Sequence, residues 1–174
     1  MSVLLEECVR DGLDWVLTLD YDTVFTAEHL DRMLGLFGNH PEIDALAALQ
    51  CRRGGGFPLA TIPGQTKVAV EGQPLRVATA HFGCTLLRLE SLAQVPKPWF
   101  QSFPASDGSW LSPDHLDADI HFWKQWEKAG KSVYLAPDVH VGHLELMVAE
   151  FDEHLQPRHR YVTEWWKQEK GGKS

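Results

Sequence analysis

The stretch that decides the fold is WVLTLDYDTVF, residues 15–25. It opens with an almost continuous apolar run, Trp15–Leu19, which predicts a β-strand covered on both faces. Asp20 and Asp22 follow directly. Side chains two apart on a strand face the same way, so both acids should point to one side at the strand's C-terminal end, where open α/β sheets bind ligands. Two carboxylates that repel each other there indicate a bound cation or a reactive group; the alternative is a solvated turn.

Helices and strands alternate around this stretch. Residues 2–12 predict a helix that ends at Gly12, and Thr26 can cap a second helix that ends at Gly38. A second buried strand is predicted over residues 43–51. The order helix, strand, helix, strand predicts an α/β sheet.

The rest of the chain predicts a hairpin, more strands and two more helices. KVAV and LRVATA suggest the hairpin, and GCTLLRL, SVYLAP and the following DVHVGHL suggest strands. One helix is expected over residues 117–129. A C-terminal aromatic helix is expected over residues 158–168, where it would carry Tyr161, Trp165 and Trp166.

Composition limits the classes of protein that this chain can belong to. With 174 residues and 44% hydrophobic content, residues 1–174 suit a single globular domain. A formal net charge of -8 disfavours nucleic-acid binding and attraction to anionic membranes. The three cysteines lack C-x-x-C spacing, and no apolar run is long enough for a transmembrane segment. These features, and the lack of a signal peptide, predict a cytoplasmic protein.

Two further groups of residues are candidates for chemistry. Asp117 and Asp119 fall at the start of a predicted helix, where a carboxylate either caps the helix or serves as a general base. His140 and His143 follow a later strand; a lone histidine is usually a packed or surface residue, but one that returns to Asp20 and Asp22 would be a metal ligand. Paired carboxylates suit Mg²⁺ or Mn²⁺, and an imidazole favours Mn²⁺.

Taken together and in this order, these motifs resemble the GT-A glycosyltransferases, especially the large inverting family 2 group. The matching pieces are GLDWVLTLDYD, which contains the D-x-D motif, then AHFGCTLLRLESL, then DIHFWKQWEKAGKSVYLAPDVHVGH. The resemblance covers about residues 5–144. It implies a partial GT-A-like mixed sheet flanked by helices, corresponding to the catalytic half, with metal and acceptor sites, of such a domain.

The resemblance also implies roles for individual residues. Asp22 matches the metal-binding acid, and Asp20 matches its partner on the ribose or the metal. His143 matches the late metal-binding histidine, and Asp119 matches the catalytic base. The implied substrates are a nucleotide-sugar donor and a carbohydrate or other hydroxyl acceptor, with Mn²⁺ or Mg²⁺ as cofactor.

Two departures from the family pattern leave alternatives open. Ala118 stands where the family has a glutamate, so Asp117 is a second candidate base. The chain also lacks the family's first strands, which hold the nucleotide, so another segment or a partner chain would have to supply them. Arg52 and Arg53, beside a glycine-rich loop, are expected to contact phosphate or acceptor, or to be solvated.

Two rival functions remain open from the sequence. VLTLDYDTVF also resembles the first motif of haloacid dehalogenase-type phosphatases, with Asp20 as nucleophile and Asp22 as acid/base. Thr23 stands in place of that family's usual glycine, however, and no later apolar strand ends in an acidic cluster. The other alternative is a non-catalytic sugar-binding or assembly module.

Overall fold

The computed structural model describes residues 1–51, 60–61, 72–162, 164 and 166. Four helices are bounded within these residues: α1 (Ser2–Arg10), α2 (Ala27–Asn39), α3 (Leu89–Ala93) and α4 (Ala118–Lys128). The same residues contain ten strands: β1 (Trp15–Leu19), β2 (Thr23–Val24), β3 (Ala45–Gln50), β4 (Ala60–Thr61), β5 (Leu75–Val77), β6 (Thr79–Ala80), β7 (Cys84–Arg88), β8 (Val133–His143), β9 (Met147–Phe151) and β10 (Pro157–Tyr161).

Six of the strands form one mixed sheet. Its order is β1-β7-β3-β8-β2, and β5 also pairs with β8. β3 and β8 are parallel, whereas the other pairs in this sheet are antiparallel. The α/β prediction, with a mixed sheet flanked by helices, is therefore confirmed.

The core lies on both faces of this sheet because β3 is buried on both sides. Ala45 and Ala47 pack into one apolar cluster with side chains of α1, α3 and α4. Leu46 and Ala48 point the other way, into a second cluster with Met33 and other residues of α2. This alternation is that of a central strand, as the apolar sequence of β3 predicts.

An aromatic group fixes α4 to the sheet and so positions the start of that helix. Phe122, Trp123 and Trp126 are fully buried within the first cluster. The indole N–H groups of both tryptophans donate to backbone carbonyls, that of Trp126 to Ser132 at 2.9 Å. Since Asp117 is the N-cap residue and Asp119 lies in the first turn of this helix, its packing determines where their carboxylates can reach.

Two predictions about individual elements are wrong. β1 is an edge strand in the described part of the sheet and is not covered on both faces, because Trp15 and Leu19 each keep 43% of their surface exposed. The predicted C-terminal helix does not begin at Arg158, since Pro157–Tyr161 forms the strand β10. Residues 162, 164 and 166 have helical geometry, and the rest of that predicted helix lies outside the described residues.

β8 is one long strand with an interruption in its middle. It pairs in register with β3 up to Ala136, after which the partner of Leu49 is His140. Pro137 lies at this irregularity and has no N–H to donate to the ladder. Beyond it, Gly142 and His143 pair with β2.

Among the described helices, none has the length and apolar character needed to cross a membrane.

Candidate functional site

The candidate residues gather at one edge of the main sheet. β1, β3 and β8 run in the same direction and end at this edge, while β7 runs the opposite way and begins there. Asp20 follows β1, Cys51 follows β3, His143 ends β8, and Gly83 immediately precedes β7. Bringing strand ends together in this way places residues far apart in sequence around one site.

Asp20 and Asp22 lie in a tight turn and not on the strand itself. β1 ends at Leu19, and the backbone N–H of Thr23 donates to the carbonyl of Asp20 at 3.1 Å. The turn separates the two acids, because Asp20 is exposed and Asp22 is only 4% exposed. The strand alternation on which the prediction for these two side chains rested does not reach them, because β1 ends before Asp20.

Pairing of β2 with β8 brings Asp22 and His143 into contact. Thr23 is directly opposite His143 in the register, so the preceding Asp22 lies beside it. His143 Nε2 is 3.2 Å from Asp22 Oδ2, and both side chains are largely buried. Asp22 and His143 are 121 positions apart in the sequence. They are two of the three residues predicted to bind a metal.

The other ring nitrogen of His143 defines its tautomer. Nδ1 lies 3.2 Å from the carbonyl oxygen of Cys51. A carbonyl only accepts, so Nδ1 carries a proton and donates it. In the neutral ring Nε2 then has a lone pair that faces Asp22. Histidines that bind metals commonly donate their other N–H to a backbone carbonyl in this way.

Gln50 links the strands that carry the Asp22–His143 pair. Its side-chain Nε2 donates to Thr23 Oγ1 at 3.1 Å and to the carbonyl of Gly142 at 3.2 Å. Thr23 Oγ1 in turn donates to the carbonyl of Gly83 at 2.7 Å. Gln50 is 1% exposed. A buried amide therefore connects the residue after Asp22 to the residue before His143.

Next to this network, Gly83 leaves room for three polar side chains. A methyl group on its Cα would lie 2.6 Å from Gln50 Oε1, 3.0 Å from His81 Nδ1 and 3.2 Å from Asp20 Oδ2. His81 Nε2 donates to the carbonyl of Ala48 at 2.8 Å, and His81 Nδ1 accepts from the N–H of Gly83 at 3.0 Å. Burial lowers the pKa of His81, which agrees with a neutral ring that makes these two bonds.

The start of α4 contributes Asp119 to the same site. The carboxyl of Asp119 has a raised pKa, first because of its partial burial, then because of the charge of Asp20, and then because of that of Asp117. Asp117 occupies the N-cap position, but its side chain does not cap the helix. Instead, Asp117 Oδ1 lies 3.0 Å from His115 Nε2. The backbone carbonyl of Ser112, followed by Asp117, raises the pKa of His115.

Other predicted candidates are not part of this arrangement. His140 Nε2 donates to the carbonyl of Pro137 at 2.6 Å, so the ring is held by its own strand. Arg52 and Arg53 lie outside the described residues.

A divalent cation fits the Asp22–His143 pair by donor chemistry. A carboxylate oxygen and an imidazole nitrogen together suit Mn²⁺, and phosphate oxygens of a ligand can fill other coordination positions. Within residues 1–51, 60–61, 72–162, 164 and 166, no group of three or more His, Cys, Asp and Glu side chains is arranged to hold a metal ion. The structure thus pairs Asp22 with His143 and leaves Asp20 outside a compact three-ligand set.

Comparison with known proteins informs the fold. No protein-family model matches the chain, and no curated protein matches it. Among solved structures, the chain is similar to A197 from STIV. The TM-score is 0.54 at 14% sequence identity, over 88% of this chain and 78% of that one. At this identity the likeness concerns the fold alone, and it supports the α/β assignment.

Sequence reasoning missed Gln50, His81 and Gly83. One indication was present, because Gln50 is a polar residue at the end of an otherwise apolar strand. Such a residue must find hydrogen-bond partners when it is buried. His81 and Gly83 gave no comparable local indication, since their roles depend on contacts with β3 and with the turn after β1.

Proposed function

We propose that this chain supplies the metal-binding and acceptor-activating part of a glycosyltransferase of the GT-A type. The reaction would move a sugar from a nucleotide-sugar donor to a hydroxyl acceptor, with inversion at the anomeric carbon. The observation that carries the proposal is the contact of Asp22 with His143 at a sheet edge that also holds Asp20 and Asp119. The family resemblance assigns these four residues to one site.

Asp22 and His143 are the residues that would hold the divalent cation. Bound there, Mn²⁺ or Mg²⁺ would neutralise the diphosphate leaving group. The hydrogen bond from His143 Nδ1 to Cys51 keeps Nε2 directed toward Asp22, so the two side chains would hold the ion together. Gln50 holds the two ligand-bearing segments at a fixed separation through Thr23 and Gly142.

Asp119 is the residue that would accept the proton of the acceptor hydroxyl. A general base works best when its pKa approaches the working pH, and the pKa of Asp119 is raised. Asp117 is the weaker candidate because its carboxylate already contacts His115. The hydroxyl oxygen, once relieved of its proton, would attack the anomeric carbon on the face opposite the leaving diphosphate.

A nucleotide-binding segment from elsewhere in a longer chain, or from a partner chain, completes the proposed enzyme. β1 is the place where such a segment would join the sheet. Among the described residues, only β7 pairs with β1, so the other edge of β1 has no neighbouring strand there. Trp15 and Leu19 are each 43% exposed on this strand, and an unpaired edge with apolar side chains favours addition of another strand.

Calorimetry with Mn²⁺ and nucleoside diphosphates tests the proposal on this chain alone, because the residues proposed here would hold the cation and its diphosphate and not the base or ribose. We expect the diphosphate to bind only when Mn²⁺ is present, and Asp22→Asn to abolish this binding. Asp11→Asn, at an exposed acid beyond the end of α1, is the matched control and should bind as the parent does. Equal binding by the parent and Asp22→Asn would contradict the proposal. So would Mg²⁺-dependent hydrolysis of a phosphate ester that Asp20→Asn abolishes, a result that favours the phosphatase alternative.

A further inference from the structure

An apolar cleft of about 490 Å³ opens beside Asp22. Its lining includes the side chains of Tyr21, Leu144, Leu146 and Tyr161 together with two acids, Asp22 and Glu145. A volume of this size lies within the range of about 300–1,000 Å³ that is typical of small-molecule sites. The cleft and the Asp22–His143 pair therefore share a residue.

Backbone hydrogen bonds build the cleft from the same segments that form the site. The N–H of Leu144 donates to the carbonyl of Asp22 at 2.8 Å, immediately after His143. The N–H of Val162 donates to the carbonyl of Leu146 at 3.4 Å, which joins the two ends of the β9–β10 hairpin. Leu144 is thereby tied to the turn that holds Asp22, and Leu146 is tied to the end of the hairpin at Val162.

The side chains that line the cleft leave much apolar surface in water. Leu144 is 60% exposed, Leu146 is 81% exposed, and Tyr21 is also largely exposed. Isolated exposed leucines are ordinary, but two that line one concave surface next to a buried carboxylate form a surface that an apolar ligand would cover. Most of the lining surface is apolar, whereas a nucleobase presents several polar edge groups that each need a hydrogen-bond partner.

We propose that this cleft binds the apolar part of an amphiphilic acceptor, a hydroxyl-bearing headgroup linked to an alkyl, prenyl or aryl group. The apolar part contacts Leu144, Leu146 and Tyr161, and the polar headgroup is directed toward the carboxylates of Asp22 and Glu145. The role as an acceptor rests on the proposed glycosyltransferase function, whereas the apolar selectivity of the cleft rests on its walls alone.

Binding of hexyl β-glucoside and methyl β-glucoside, measured by NMR without metal or nucleotide, tests the apolar selectivity. These probes share a headgroup and differ by five methylenes, each of which tightens binding by up to about fourfold when fully buried. We expect hexyl glucoside to bind at least about tenfold more tightly, since the cleft is open and burial is partial. The amide signals of Leu144, Leu146 and Val162 should shift on binding.

Paired variants separate the cleft from general surface adhesion. Leu146→Ser and Leu144→Ser should each reduce the preference for hexyl glucoside, while Leu111→Ser, at a 97% exposed leucine outside the cleft, should not. Equal binding of the two glucosides, equal effects of all three variants, or displacement of hexyl glucoside by uridine or adenosine would overturn the proposal. Binding of hexyl glucoside together with a failed Mn²⁺–nucleotide titration would overturn the acceptor role, and the fault would then lie with the proposed function.

Discussion

His143 Nε2 faces Asp22 Oδ2 at 3.2 Å, while His143 Nδ1 donates to the carbonyl of Cys51. With Nδ1 as the donor, Nε2 presents its lone pair toward the carboxylate when the ring is neutral. The pair therefore offers one nitrogen and one oxygen donor to the same position, which is the arrangement that the proposed cation site needs.

Replacement of His143 should weaken Mn²⁺ binding far more than replacement of its neighbour His140. His143→Asn removes the nitrogen that faces Asp22, whereas His140 donates to Pro137 on its own strand. Loss of a residue that only orients a metal ligand commonly costs about 10–100-fold in affinity, so loss of a direct ligand should cost at least that much. Titration of Mn²⁺ monitored by electron paramagnetic resonance measures the effect. Similar affinities for His143→Asn and His140→Asn would remove His143 from the site.

Adding a methyl group at Gly83 should disturb the site and lower stability. The new Cβ would lie 2.6 Å from Gln50 Oε1 and 3.2 Å from Asp20 Oδ2, so one of these side chains must move. Overpacking of this kind typically destabilises by about 1–3 kcal/mol. Gly35→Ala in the exposed middle of α2 is the opposite case, because nothing lies within 4 Å of its added Cβ. It should stabilise by about 0.5–1 kcal/mol through helix propensity.

Urea denaturation of both variants provides the measurement. We expect Gly83→Ala to be the least stable of the three proteins and Gly35→Ala the most stable, with the parent between them. If Gly83→Ala is as stable as the parent and binds Mn²⁺ equally well, the packing around Asp20 and Gln50 is looser than the distances indicate.

Gln50→Met should separate stability from the geometry of the ligand pair. Methionine has a similar shape but cannot donate, so Thr23 Oγ1 loses one donor and the carbonyl of Gly142 loses its bond from the amide. An unsatisfied buried group costs about 1–3 kcal/mol. Gln94→Met, at an exposed glutamine, should cost little. At temperatures where Gln50→Met is fully folded, we expect weaker Mn²⁺ binding; unchanged affinity would limit Gln50 to a structural role.

Elements whose signals are local could be predicted from the sequence. The apolar run Trp15–Leu19 gave the bounds of β1 correctly. Thr26 caps α2, as predicted, by accepting from the N–H of His29, and the His29 side chain completes the box by accepting from the N–H of Thr26. Caps and apolar periodicity involve residues within one or two turns, so a single sequence contains them.

The prediction that a helix begins at Arg158 is wrong because contacts with a distant segment determine the structure there. Arg158 and Arg160 lie two residues apart on one face of β10, and both donate to the carboxylate of Glu150 on β9. The guanidinium of Arg160, then that of Arg158, lowers the pKa of Glu150. Period-two spacing of the arginines was visible, but its acidic partner could be known only from the hairpin pairing.

The sequence indicates which residues lie close together better than it indicates how they are arranged. The family resemblance pairs Asp22 with His143, and the structure brings these two residues into contact. The sequence could not show that Asp20 and Asp22 fall in a turn with different exposure. Nor could it show that Gln50 joins their segment to His143, because that link depends on the order of strands in the sheet.

Asp119→Asn should make the protein more stable at neutral pH. Burial, then the charge of Asp20, raises the pKa of Asp119 in the folded chain above its unfolded value. The folded state therefore holds this proton more tightly, and stability falls as pH rises from the unfolded pKa, about 4, to the folded one. Asparagine has no carboxyl to ionise, so the Asp119→Asn variant avoids this loss of stability. Its thermal midpoint should exceed that of the parent at pH 7, and the difference should vanish below about pH 3. A gain that persists at low pH would show that ionisation of Asp119 is not its cause.

Turnover distinguishes Asp119 as a base from Asp119 as a structural residue. In an assay with the proposed nucleotide-binding segment present, Asp119→Asn should lower kcat by about 10²–10⁴-fold and leave Mn²⁺-dependent nucleotide binding nearly intact, since a base acts on the acceptor and not on the diphosphate. Asp117→Asn is the matched control at the same helix start, and it should retain most activity because Asp117 contacts His115. The apparent pKa on the acid side of the pH profile of kcat/KM should lie above the usual range for aspartate. Asp20→Asn should lower this apparent pKa, since the charge of Asp20 helps to raise the pKa of Asp119. If Asp117→Asn loses activity while Asp119→Asn keeps it, Asp117 is the base; if both keep it, the proton leaves the acceptor by another route and the proposed inverting mechanism is wrong.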